Sequence, residues 1–196
     1  MKNAYLGLLV ADLLVLTAAA VLGWVTDGGQ RLFALHFGMG LFGAIYTVFM
    51  HVVAYVYFIV CGKIVSEAVE RAGLDRALDD RARVLKTRTF RFALLGIVTI
   101  IATAILGARI AAVGISPQGD PDMVRRAAGQ TIHLLCAMLA LMVQPIVMTI
   151  VYHNIESQVE LTANALAALE ASRDKRRADA RAPNPLKPEP HPNRRD

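Results

Sequence analysis

Residues 32–62 read LFALHFGMGLFGAIYTVFMHVVAYVYFIVCG, without a single Lys, Arg, Asp or Glu. A hydrocarbon layer about 30 Å thick needs roughly 20 mostly apolar residues in helical form to cross it. At about 1.5 Å per residue this stretch exceeds that span, so it tilts or protrudes. Three further stretches are long and apolar enough, at about 4–25, 90–114 and 127–153. With 55% hydrophobic residues and a mean hydropathy of +0.44, the 196 residues carry more apolar surface than one soluble core can hide. The expected fold class is all-α: a polytopic membrane protein whose residues 1–155 form a four-transmembrane-helix bundle, with a cytoplasmic helical loop and a C-terminal helical extension.

Orientation follows from the basic residues. Between the second and third apolar stretches lie Lys63, Arg71, Arg76, Arg81, Arg83, Lys86 and Arg88, with Arg91 just beyond. The C-terminal end holds Arg173, Lys175, Arg176, Arg177, Arg181, Lys187, Arg194 and Arg195, whereas the opposite side offers Arg31, Arg125 and Arg126. Positive loops stay inside, so both termini and residues 63–89 are expected in the cytoplasm of a bacterial-type inner membrane. The net charge of +5 and pI near 9.5 are then topology and attraction to anionic lipid headgroups, not nucleic-acid binding.

Residues 1–20, with Lys2 and Ala18-Ala19-Ala20, also read as a cleavable signal peptide. Asp12 interrupts the apolar region, however, and Trp24 followed by Asp27, Gly28 and Gly29 reads as an interfacial anchor and a turn. A retained first helix is therefore expected. Cys61 and Cys136 fall at different depths, too far apart for a disulfide.

The loop 63–89 carries Val69, Leu74, Leu78 and Val84 among alternating charges, which predicts short amphipathic helices around Gly73. Residues 116–121 form a Pro- and Gly-rich external turn. Ile155, Val159, Thr162, Leu166 and Leu169 continue a helical stripe past the membrane, predicting a cytoplasmic helix over 156–181. That helix can pack on the middle loop or on a partner chain. The prolines at 183, 185, 188, 190 and 192 mark 182–196 as a disordered tail.

Ionisable residues at bilayer depth cost several kcal/mol unless paired or ligated, roughly 3 kcal/mol on insertion scales, so each is a candidate for function. Counting from the interfacial charges puts His36, His133 and Arg109 in one layer roughly 8 to 10 Å below the outer face. A second, deeper layer holds Asp12, His51 and Gln144. Helical phase groups His36, Gly40, Gly43, Thr47 and His51 on one stripe, Gly129, His133, Ala137, Ala140 and Gln144 on another, and Gly96, Thr99, Thr103 and Gly107 on a third.

Small residues beside a histidine admit two readings. One is close helix packing without a cofactor. The other is that Gly40, Gly43, Ala137 and Ala140 leave room for the edge of a flat macrocycle, with His36 and His133 as axial ligands and Arg109 paired to a propionate. The arrangement of His36 with Gly40 and Gly43, and of His133 with Gly129 and Ala137, resembles that of membrane b-type cytochromes. The resemblance covers the second and fourth helices. It implies haem b held between facing helices and an electron-transfer role.

His153 lies twenty residues beyond His133 and is rotated by roughly 200° from it, so His51 has no histidine partner at its own depth. One haem is therefore expected, not two. The Asp12, His51 and Gln144 cluster reads as a buried hydrogen-bonded group, with a proton-accepting quinone pocket as its functional alternative. Met39, Met50, Met138, Met142, Met148 and Cys136 supply soft donors for copper, a third reading. No zinc-ligand spacing or nucleophile elbow points to a hydrolase. The expected function is a single-haem membrane subunit working with other redox subunits or as a homo-oligomer. A cofactor-free structural or assembly subunit is the alternative.

Overall fold

The computed structural model describes residues 2–25, 30–113 and 123–181 as four helices: α1 (Lys2–Val25), α2 (Gln30–Ala72), α3 (Ala77–Val113) and α4 (Met123–Arg181). All four are long and apolar enough to cross a membrane. The expected external loop at 116–121, the Pro-rich tail 182–196 and all but Gln30 of the expected turn at 26–30 lie outside the described residues. α2 and α4 pack against each other, α1 packs on both, and α3 packs on both. The α2–α4 pair is thus the spine of the bundle.

The helices are of unequal length, and this shapes the molecule. α1 has 24 residues, about 36 Å, which matches a hydrocarbon layer with its interfaces. α2 has 43 residues and α4 has 59, so both overrun such a layer. Short amphipathic helices were expected over 63–89. Instead α2 runs unbroken to Ala72 and α3 starts at Ala77, so the segment is one antiparallel hairpin. The reason is phase: Val65, Ala68 and Val69 on α2 and Ala82 on α3 face Leu161 and Ala165 of α4, and all six are buried. A continuous helix keeps these positions in line with the apolar stripe above them.

The hairpin turn is built by Gly73, whose φ of +66° is left-handed. Leu74 N–H donates to the Val69 carbonyl at 3.1 Å, a Schellman closure, and Leu74 packs into the hairpin core. Asp75 then caps α3 through its Oδ1, which accepts from Ala77 N–H at 2.9 Å. Asp79 and Asp80 in the first turn complement the helix dipole. Gly73→Ala is expected to destabilise the chain by about 1 kcal/mol, because a Cβ is disfavoured at positive φ. Circular-dichroism unfolding in detergent reads this as a lower midpoint.

Along the bundle axis, apolar and polar layers alternate. Below the membrane-length part, Asn154 Nδ2 donates to Thr89 Oγ1 at 3.0 Å in a buried α3–α4 contact. Next comes a cluster of Tyr5, Met50, Ala54, Phe58, Val147, Val151 and Ile155. Further along lie the fully buried Asp12, Thr47, His51 and Gln144, and then Leu16, Ala44, Ile100 and Ala140, one residue from each helix. At these same levels Leu14 is 66% exposed, Ile45 62% and Met142 67%. The polar groups are inside and the apolar ones outside.

Candidate functional site

Above the layer of Leu16, Ala44, Ile100 and Ala140, the four helices part around an apolar cleft of about 160 Å³. A single water needs only ~10–15 Å³, so the cleft has room for a far larger group. Ala19 and Ala20 line it from α1, Phe37 and Gly40 from α2, Thr103 and Gly107 from α3, and Ala137 from α4. Gly40 earns its place by omission, since a Cβ there would meet nothing within 4 Å.

His36 and His133 enter this cleft from α2 and α4. Their ring centroids are 6.2 Å apart, with the planes at 71°. His36 Nδ1 lies 2.8 Å from the carbonyl oxygen of Ala19. A carbonyl only accepts, so Nδ1 carries the proton and Nε2 keeps a free lone pair. Backbone support of this kind orients many metal-binding histidines. His133 Nδ1 is buried without a hydrogen bond.

Each of the three histidine rings rests on a glycine of a neighbouring helix. A Cβ at Gly23 of α1 would come within 2.6 Å of His36 Cε1, and one at Gly107 of α3 within 2.9 Å of His133 Cε1. At Gly96 the corresponding approach is 2.5 Å to His51 Nε2. Real Cβ atoms do not sit that close, so these glycines are what allows the rings their positions.

The deeper layer forms two hydrogen-bonded groups, not one. Thr47 Oγ1 lies 2.8 and 3.1 Å from the Asp12 carboxylate oxygens and 2.9 Å from the Gly43 carbonyl. His51 Nε2 is 3.2 Å from Gln144 Oε1, and Gln144 Nε2 donates to the Gly96 carbonyl at 2.8 Å. Asp12 thus bonds to Thr47, one helical turn from His51, and not to His51 itself.

Three expectations change. Arg109 is exposed on α3, two residues and about 200° from Gly107, and does not itself line the cleft. Gly43 serves α1–α2 packing instead of the cleft, because a Cβ there would lie 3.0 Å from Leu16 Cδ2. Gly129 meets only an ordinary contact with Ile110 at 3.8 Å. His153 is on the surface, 3.6 Å from Glu156. Neither methionine nor cysteine lines the cleft, and among the described residues no three His, Cys, Asp or Glu side chains gather to hold a metal. The soft donors of the copper reading are scattered: Met138 and Met142 face outward, and Met50 and Met148 are buried in deeper layers.

Sequence reasoning placed Asp12 on α1 but missed that helix's part in the cleft. The Ala19 carbonyl that orients His36 has no side-chain signature, although Ala19 and Gly23 at i, i+4 spacing mark a face open to close approach. Fold and site together define a four-helix bundle of membrane-crossing length with paired histidines on its two spine helices. Comparison with known proteins adds no relative: no family model, curated protein or solved structure matches the chain.

Proposed function

We propose that this chain is a membrane-embedded, b-type cytochrome-like subunit that holds one haem between α2 and α4 and passes electrons within a larger redox complex. The observation that carries the reading is the His36–His133 pair, 6.2 Å apart across an apolar cleft with room beside Gly40 and Ala137. Two imidazoles ligating one metal at about 2.0 Å each, with about 1.1 Å from nitrogen to ring centre, have centres roughly 6 Å apart. The donor set fits as well: two imidazoles, one with its ring held by the Ala19 carbonyl, in apolar walls.

Bound there, haem supplies reversible one-electron chemistry. The chain's own residues do the rest. His36 and His133 would hold the group from both sides, and two histidine ligands would favour electron transfer over oxygen chemistry. Ala19 holds the His36 ring, and Gly23 and Gly107 give the rings their space. Exposed apolar side chains around a buried polar interior suit lipid and not water. The excess of Lys and Arg at the hairpin end supports a cytoplasmic side for that end and for both termini, in a bacterial-type inner membrane. The partners are other redox subunits or a second copy of the chain.

A cofactor-free structural subunit is the second reading, and one observation favours it: 6.2 Å at 71° is also the geometry of an edge-to-face ring pair. Gly40→Leu and Ala137→Leu separate the two. Each fills the cleft one helical turn from a histidine while leaving both imidazoles in the chain. The haem reading expects variants that insert and stay helical but lose the haem absorbance that wild type carries. If the filled variants and the wild type are equally colourless, the packing reading stands.

A further inference from the structure

We infer that the deeper polar layer is a proton-binding site inside the membrane, with His51 Nδ1 as the acceptor and the Asp12 carboxyl as a neighbouring proton store. Its regulation of the cleft rests on the haem reading above; the proton site itself does not.

The hydrogen bonds assign the protons. The Gly96 carbonyl can only accept, so the Gln144 amide is oriented with its nitrogen toward Gly96 and its oxygen toward His51. His51 Nε2 must then be the protonated nitrogen. That leaves Nδ1 as a bare lone pair, fully buried and without a partner. Such an orphan is uncommon in a native structure. One turn away, the Thr47 hydroxyl has one hydrogen and two acceptors, the Gly43 carbonyl at 2.9 Å and Asp12 Oδ1 at 2.8 Å. Every bond is made if Asp12 is a neutral acid donating to Thr47 while Thr47 donates to Gly43.

No opposite charge faces this layer among the described residues. α1 contributes Asp12 and, toward the Lys2 end, Tyr5, whose buried hydroxyl also lacks a partner. On its own helix His51 has Tyr55 one turn away; α3 and α4 face it with the uncharged Gly96 and Gln144. An added proton is therefore the group's only ready counter-charge for an electron held nearby. The apolar layer of Leu16, Ala44, Ile100 and Ala140 separates the two sites, so they couple through the field and not through contact.

The step is a simple protonation. A proton from bulk water forms an N–H bond at His51 Nδ1, giving imidazolium, and an added one-electron reductant supplies the compensating electron. Counting residues along α2 and α4 puts the sites about 20 Å apart, so one electron raises the proton affinity of His51 roughly fourfold at an effective dielectric of about 20. That fourfold linkage corresponds to a total fall of about 35 mV in midpoint potential across the titration.

The test uses the full chain in phospholipid nanodiscs, labelled with ¹⁵N-histidine, with His51→Gln to assign the resonance and Asp12→Asn as the second variant. We expect the His51 nitrogens to pass from the imine-bearing to the doubly protonated form in a titration taken from about pH 8 down to about pH 4. Asp12→Asn should displace the midpoint. Dithionite reduction should raise it, and the pH dependence of the potential should vanish in His51→Gln. A His51 ring that stays neutral over this range, oxidised and reduced alike, with a pH-independent wild-type potential overturns the inference. Absence of haem sinks the function proposed above, and the nitrogen titration alone then decides the proton site.

Discussion

His36→Ala and His133→Ala are each expected to abolish low-spin haem binding, while His153→Ala leaves it intact. Losing a mere partner of a metal ligand typically costs roughly 10- to 100-fold in affinity, and losing the ligand itself costs more. Neither substitution empties a tightly packed core position. Both rings border the cleft, and His36 and His133 are only part-buried. The variants should therefore fold and insert. Imidazole added to the medium should restore part of the absorbance, because the truncated side chain leaves a hole of its shape on the ligand axis. A variant that keeps a normal spectrum shows that its histidine is no ligand. His153, paired with Glu156 on the surface, serves as the control.

The second large effect lies at the other end of the molecule. Val65→Asp places a carboxylate where Ala68, Leu161 and Ala165 leave essentially no exposure and no cation. Burying an unpaired charge costs several kcal/mol, on the order of 3 or more, so the hairpin should open. Limited proteolysis is expected to cut within 63–90 and 156–181 in this variant and to spare the wild type. Val65 lies 29 residues from His36 along α2, about 43 Å, so the haem band should survive the change. Loss of both together would show that the extension and the membrane-length bundle fold as one unit.

The four membrane-length helices are legible in sequence because uninterrupted apolar runs have one common cause. The hairpin was not. Charges over 63–89 resemble a loop, yet Val65, Ala68, Val69 and Ala82 stay in helical phase with what precedes and follows them, and phase prevailed. The site was legible in part for the same reason. Depth is readable by counting, so His36 and His133 were expected at one level. Azimuth is less secure: Arg109 shares that level but not the face, and Gly43 is turned some 60° from Gly40, enough to meet α1 instead of the cleft. The supports were hidden for a different reason. A backbone carbonyl such as that of Ala19 is carried by every residue, and nothing in the sequence announces which one a ring will find.

The deeper layer shows the same limit. Asp12, His51 and Gln144 were expected to satisfy one another, and two of the three do. Asp12 bonds Thr47 instead, because α1 packs on the α2 face that carries Thr47, while His51 reaches α3 and α4.

The central claim is tested most directly by the reduced-minus-oxidised visible spectrum of the wild-type protein, purified in mild detergent from cells with ample haem and together with its native neighbours, with haem and protein quantified on one sample. The account predicts a sharp low-spin b-type band at one haem per chain. A flat spectrum from folded protein would contradict it and leave the histidine pair as a packing contact.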